Sequence, residues 1–423
     1  MGGLGSRRPL GREGGRVSIL DKVRALLGRE AVLEAGAVAG APPRVAPDSI
    51  DGAALLLGTA HQEGWRVRVE GAGGWMPGDA PADLCLTTRR LNRVTAIQPQ
   101  DLTATAEAGV GLDVLRQQLA DRGVWLAIDP PGLAGRTLGS VVATGTGGPL
   151  REAFGPVRDH LLGITFVTGD GRVVTGGGRV MKNVAGYDLT RLQTGAFGAF
   201  GVVGLVHLRL RALPRADRTF VLEDGRDQLT GVSDEIRESG LAVGALELLS
   251  PALARRDRWA LAVRLVGSAP LVENGEATLR RTAGGRFVPL RADEAHALWH
   301  RAAEGIAARA VTLRVGGVAE GADGLLDLLQ HQIGDEWVSA TPGVGTIRWG
   351  GEVAPERLQH LRRTLAALEV PLTLERAPWE LRRAVGHFGA YREGVGPLVS
   401  GLRRTFDPGQ QLVVALESDP RAD

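Results

Sequence analysis

Three glycines, at 71, 73 and 74, follow directly on the segment WRVRVE, in which Val67 and Val69 alternate with charged residues as in a half-buried strand. A turn without Cβ atoms lets backbone N–H groups converge on an anion. The turn carrying Gly71, Gly73 and Gly74 is therefore a candidate cradle for a pyrophosphate, with a plain hairpin turn as the competing reading. A second glycine-dense stretch runs from Thr137 to Val203 and contains Lys182, one of only two lysines among fifty basic residues. Either a compact ammonium suits a site there better than a planar guanidinium, or Lys182 bonds the carbonyls that fix the KNVAGYD turn. Tyr187 and Asp188 in that turn read as structural hydrogen bonders. Farther on, His296 and His300 lie four apart on an expected helix, but HALWH lacks the glutamate of HExxH and a third nearby ligand, so both read as surface histidines. Arg348 and Arg382 could each grip a carboxylate through two parallel donors, yet arginine is so abundant that neither stands out.

Composition narrows the function class. With 423 residues, 43% hydrophobic and 23% charged, the chain suits two to three globular domains. Fifty basic residues against 48 acidic ones make the pI of 9.1 the mark of a nearly balanced, arginine-dominated chain, and aromatics at 4% leave none of the basic and aromatic patterning of a nucleic-acid binder. Cys85 is the one cysteine, which excludes an intrachain disulfide and an iron–sulfur cluster held by four thiolates of this chain. No apolar run reaches the roughly 18 residues needed to cross a bilayer. The opening MGGLGSRRPLGREGGR is not followed by an apolar core and cleavage site, so it does not read as a signal peptide. A cytoplasmic chain, at most peripheral to the inner face of a membrane, is expected.

The elements that must position these residues follow from spacing. Residues 1–16 are expected to be disordered. The spacing of Leu20, Val23, Leu26 and Leu27 predicts one helix within 19–33, and Asp48 or Ser49 should cap a second, with Ala53, Leu55, Leu56 and Leu57 as its apolar face, ending near Gly64. TATAEAGV leads to a helix over 112–119 with Val114, Leu115 and Leu119 apolar; VVAT reads as a buried strand; and LLGITFVTGDGRVV reads as two strands about a turn at Asp170 and Gly171. Beyond Pro214, strands (LAVGALELL, WALAVRLVG, TIRWGG, VPLTLERA) and helices near 292–308 and 324–332 alternate as in an α+β domain.

Taken in order, the strand and glycine turn, the TATAEAGV segment, the DPPG loop and the run from Thr137 to Val203 resemble the FAD-binding domain of the vanillyl-alcohol oxidase, or PCMH-type, superfamily over residues 45–214. Within it the chain is similar to the smaller FAD-binding subunits of bacterial glycolate oxidases. The resemblance implies an α+β protein. A tail and short helix over 1–30 would precede a two-subdomain FAD-binding domain over 31–214 and an α+β cap over 215–395, and a segment over 396–423 would return to the FAD domain. It implies that Glu70 to Trp75 wrap the FAD pyrophosphate and that the group Asp129, Pro130, Pro131, Gly132, Thr137, Leu138, Gly139, Ser140, Ala143 and Thr144 meets flavin and phosphates. Val157, Arg158 and Asp159 would border the adenine–ribose half, with Lys182 and Gly201, Val202 and Val203 also at the cofactor. Trp75 stands where covalent members place a histidine, which implies dissociable FAD. GAFGAFG replaces the GSxGxLG form commoner in relatives, with Ala196 and Phe197 as the departures. A larger flavin subunit, an iron–sulfur subunit and a 2-hydroxy acid such as glycolate or D-lactate are the implied partners and substrate. No residue of the sequence stands out as the base. The alternatives are a stand-alone FAD-dependent dehydrogenase of another hydroxy acid or alcohol, and an assembly subunit without catalysis.

Overall fold

The computed structural model describes residues 18–33, 41–76, 78–132, 135–178, 186–317, 321–388 and 394–414. Three sheets organise them, with a two-stranded ribbon (Val124–Trp125 and Arg211–Ala212) between the second and third.

The first sheet is ordered Val32–Leu33, Arg44–Val45, Leu84–Thr87, Val67–Glu70, Leu412–Val413, and its last four strands run parallel. Helices Ile19–Leu27 and Ile50–Glu63 cover it, burying Val23, Leu56, Leu57 and Ala60 against Val67, Leu84 and Leu86. The first helix stops at Gly28, and Val32–Leu33, expected within it, forms a strand instead, since pairing with Arg44–Val45 supplies those backbone groups with partners that a frayed helix end lacks. Ser49 caps the second helix by accepting the N–H of Gly52 at 3.1 Å. Its buried face is Ala53, Leu56, Leu57 and Ala60; Leu55, expected there, falls off the 3.6-residue stripe and is 49% exposed. On helix Leu112–Ala120 the buried stripe is Leu112, Leu115 and Leu119, and Val114 lies off it, 48% exposed.

The second sheet is antiparallel, in the order Val94–Gln98, Thr103–Glu107, Val202–Arg209, Leu161–Val167, Val173–Gly177. Helix Leu112–Ala120 packs on it together with Leu138–Thr144. The latter corrects the expectation of a VVAT strand. Buried on nearly every side, the run shows no periodicity, and β-branched valines misdirect the reading. Thr137 starts the helix by accepting the N–H of Ser140 at 3.3 Å, and Gly139 lets it approach so closely that a Cβ would lie 2.7 Å from that of Ala108.

The third sheet has eight antiparallel strands: Val288–Pro289, Ala216–Asp224, Trp259–Gly267, Ala245–Leu249, Val338–Thr341, Thr346–Gly351, Val311–Gly316 and Leu372–Arg376. Because side chains alternate across a strand, Leu246, Leu313, Ile347 and Leu374 share one face, buried under helices Arg226–Glu238, Ala322–Ile333 and Pro355–Ala367. Glu247, Arg314, Ser339, Arg348 and Glu375 fall on the other. That face meets the first half of the chain: Arg348 donates to the carbonyl of Gly147 at 2.5 Å, and helix Arg151–Phe154 rests against strand Ala245–Leu249.

Candidate cofactor site

Strand Val67–Glu70 runs between Leu84–Thr87 and Leu412–Val413 and ends in the glycine turn. The turn is held from outside. Thr87 donates its hydroxyl to the Gly71 carbonyl at 2.6 Å, and Arg89 donates to that of Ala72 at 2.8 Å. Gly73 sits at φ 77°, and a Cβ on Gly71 would overlap Thr137 Oγ1, so glycine alone lets the turn lie against the start of helix Leu138–Thr144. Glu70 is ion-paired with Arg44 at 2.5 Å.

Between this turn, helix Leu138–Thr144 and the segment from Gln193 to Val203 lies a cleft of about 940 Å³, its open mouth included. Glu70, Gly71, Ala72, Gly73, Gly74, Trp75, Gly139, Ser140, Ala143, Thr144, Gly201, Val202 and Val203 all line it. Among the described residues named from the sequence, Asp129, Pro130, Pro131, Gly132, Thr137, Leu138, Val157, Arg158 and Asp159 do not. Pro130 is buried in the wall behind, and Thr137 serves as the helix cap. Arg158 is exposed and lies 3.5 Å from Asp159. Lys182 lies outside the described residues.

The DPPG loop acts at one remove. The Asp129 carboxylate accepts the N–H of Leu150 at 3.0 Å, and burial, only partly offset by Arg264, that N–H, Arg116 and Arg348, pushes its carboxyl up to about 6. Gly132 donates to the Ala303 carbonyl at 3.0 Å, and a Cβ on it would stand 2.7 Å from the Trp75 ring. The loop thus wedges Trp75 between the cleft and helix Ala292–Ala307. Asp188 caps helix Leu189–Gln193 through the N–H of Arg191 at 2.9 Å, whereas Tyr187 is 91% exposed. His296 and His300 are exposed, and among the described residues no three His, Cys, Asp or Glu side chains are grouped to hold a metal.

Arg348 and Arg382 are committed to contacts between the two halves. Arg348 pairs with Glu375 at 3.0 Å while reaching Gly147, and Arg382 pairs with Asp79 at 2.7 Å while its Nε–H donates to Ala377. Burial would raise the Glu375 carboxyl, but Arg348 and Arg314 outweigh it and hold it below the usual range.

Several lining residues carried no usable signal in the sequence. Arg136, 2% exposed, is one arginine among many. Val413 and Val414 reach the cleft only because the C-terminal strand adds to the first sheet. Phe197 enters it from the GAFGAFG run, where a positive φ of 53° and an N–H bond to the Ala143 carbonyl at 2.7 Å turn its ring onto His387, 4.2 Å away.

The residues present fit an FAD. The glycine turn leaves backbone groups free to face the cleft, and the buried Trp75 Nε1–H on the cleft wall has no protein partner among the described residues.

Comparison with known proteins agrees with this geometry. A profile of the FAD binding domain family matches residues 42–177. The chain is 41% identical over 119 residues to the glycolate oxidase subunit GlcE of Escherichia coli (strain K12), covering 28% of this chain and 34% of that protein. It is 32% identical over 171 residues to the mitochondrial D-lactate dehydrogenase [cytochrome] of Arabidopsis thaliana, covering 39% and 29%. The chain thus spans about a third of the length of these relatives. A crystal structure of p-cresol methylhydroxylase with substrate bound superposes with a TM-score of 0.71 at 14% identity, over 94% of this chain and 95% of that one. A sequence match over residues 42–177, which supply most of the cleft lining, joined to a likeness in fold along nearly the whole chain, means that these residues form an FAD-binding domain with FAD as its cofactor, in a chain whose fold is similar to that of p-cresol methylhydroxylase.

Proposed function

We propose that this chain is the FAD-binding subunit of a glycolate oxidase-like complex that oxidises a 2-hydroxy acid, glycolate or D-lactate, to the 2-oxo acid. The observation that carries the reading is that the cleft is built largely from residues 42–177, the FAD-binding domain, in a chain similar to a glycolate oxidase subunit and a D-lactate dehydrogenase. Bound FAD would accept the hydride that leaves the α-carbon. Glu70 to Trp75 and the helix Leu138–Thr144 would hold it without a covalent link, since Trp75 occupies the end of the loop. With Cys85 as its one cysteine, buried and pushed up to about 12 by burial, the chain has no cluster of its own to receive electrons. The reading therefore includes a larger flavin subunit and an iron–sulfur subunit as partners, at the inner face of a membrane. No helix of the described residues is long and apolar enough to cross one.

One observation favours a relay role over the hydride step itself. Among the described residues lining the cleft there is no histidine, and the one carboxylate, Glu70, is tied to Arg44. The visible spectrum of the purified chain, before and after denaturation and then with anaerobic glycolate or D-lactate, separates the cases. Flavin released on denaturation and bleached by either acid supports hydride transfer on this chain. Bound flavin that neither acid reduces supports the relay or another substrate. A colourless chain that takes up no FAD sinks the enzymatic reading.

A further inference from the structure

Arg136 is the cation among the described residues that line the cleft, and its surroundings are unusual for a buried guanidinium. Its Nε–H donates to Ser140 Oγ at 2.7 Å, one terminal nitrogen to the Pro131 carbonyl at 3.0 Å, and the other to the Ser140 carbonyl at 3.1 Å and Thr144 Oγ1 at 2.8 Å. Its Cζ lies over the Trp75 ring, 4.2 Å from the centroid. All these partners are neutral, and no carboxylate among the described residues lies within ion-pair distance. Hydrogen bonds of this kind hold the group rigidly but leave its charge uncompensated, and a buried unpaired charge is costly. Burial accordingly brings its pKa down to about 9. Such a group is a site built for negative charge.

Place within the cleft decides which charge. The charges that act on Arg136 from farther off, Glu375, Arg348 and Glu304, all belong to the second half of the chain, and Trp75 beneath it abuts Gly132 and hence helix Ala292–Ala307. Arg136 thus stands at the end of the cleft that faces the third sheet. A diphosphate is anionic at all times and is served by backbone N–H groups at glycine turns. The flavin ring is neutral when oxidised; a hydride adds two electrons and one proton and leaves one net negative charge on it.

We propose that Arg136 is the cation that compensates the charge gained by the flavin ring on reduction, and so raises the reduction potential of the FAD bound to this chain. The proposal rests on the cleft holding FAD, but not on the identity of the substrate. It says what limits electron transfer through this site: without Arg136 the bound flavin is a poorer acceptor for any donor.

The test uses sulfite, which adds to flavin N5 and places the same negative charge on the ring, together with dithionite reduction against a reference dye; neither involves a hydroxy acid. Wild type, Arg136→Lys and Arg136→Gln chains loaded with FAD are compared, with FAD and ADP affinities measured by fluorescence. The expected result is a sulfite dissociation constant raised roughly tenfold or more in Arg136→Gln, a more negative potential, partial recovery in Arg136→Lys, and little change in the affinity for oxidised FAD. If FAD and ADP affinities fall in equal proportion while potential and sulfite affinity stay put, Arg136 serves the diphosphate and the proposal is overturned. If Arg136→Gln does not fold, the wild-type chain decides: a bound flavin that takes up no sulfite refutes the assignment. Failure of glycolate and D-lactate to reduce the flavin would count against the proposed function alone.

Discussion

Arg348 on strand Thr346–Gly351 donates at 2.5 Å to the carbonyl of Gly147, 201 residues earlier in the chain, while its Nε–H pairs with Glu375. Glu375 in turn holds Arg314 at 2.9 Å, so one buried carboxylate serves two guanidiniums and ties the third sheet to the FAD-binding half. Removing one member of such a set leaves the others buried without compensation. Glu375→Gln is expected to cost about 3–5 kcal/mol, read from urea unfolding, and to make the junction between the halves a site of early proteolysis. An unchanged midpoint would mean that water already screens the cluster.

The same face gives a pH dependence. Burial pushes the Glu247 carboxyl up to about 7, against hydrogen bonds from Ser339 and Thr341 and the pull of Arg348, with Asp129 adding to the rise. A folded-state pKa above the unfolded 4.5 means that the native state binds the proton more tightly, so this contribution to stability is complete below about 4.5 and is lost as pH rises through about 7. Glu247→Gln keeps one acceptor oxygen and sets a donor NH2 where the other oxygen stood, as a protonated carboxyl sets an O–H there. Between about pH 5 and about pH 8 the wild type should lose about 2–3 kcal/mol relative to the variant, seen as converging and then crossing melting temperatures. Parallel curves would contradict a proton on Glu247.

At the glycine turn the limit is steric. Gly71→Ala drives a methyl into Thr137 Oγ1 and should weaken FAD binding roughly tenfold or more, since one displaced turn misaligns the whole cradle. Gly71→Ala with Thr137→Ala should recover much of that affinity while losing about 1 kcal/mol of helix capping. A double variant that binds no better than the single one would place the difficulty in the turn backbone instead.

His387 is 1% exposed, packs against Phe197 and Phe388, and has neither ring nitrogen hydrogen-bonded to protein among the described residues. Burial, with Arg382, Arg362 and Arg314, holds the imidazole neutral by lowering its pKa well below the usual value. As a packing element it should be replaceable, and His387→Phe should keep or raise the melting temperature. Bound flavin reduced normally by dithionite but no longer by a hydroxy acid would instead assign this imidazole a part in substrate oxidation.

The features legible in the sequence are local. The strand and glycine turn at 67–75, the Ser49 cap with the end of its helix at Gly64, and the two strands about Asp170 and Gly171 all rest on short-range rules: alternation, capping and the backbone freedom of glycine. Their order along the chain carried the superfamily resemblance, and with it the α+β fold and FAD. Where burial is complete the pattern disappears, so VVAT reads as a strand, and Leu55 is placed on a face that the helical period excludes. Only the tertiary structure brings Val413 and Val414 back to the cleft, ties the halves together through Arg348 and Arg382, and leaves Arg136 in the cleft wall without a carboxylate partner among the described residues. In a chain so rich in arginine, the type of a residue says nothing about which one is left without an anion; only distance does.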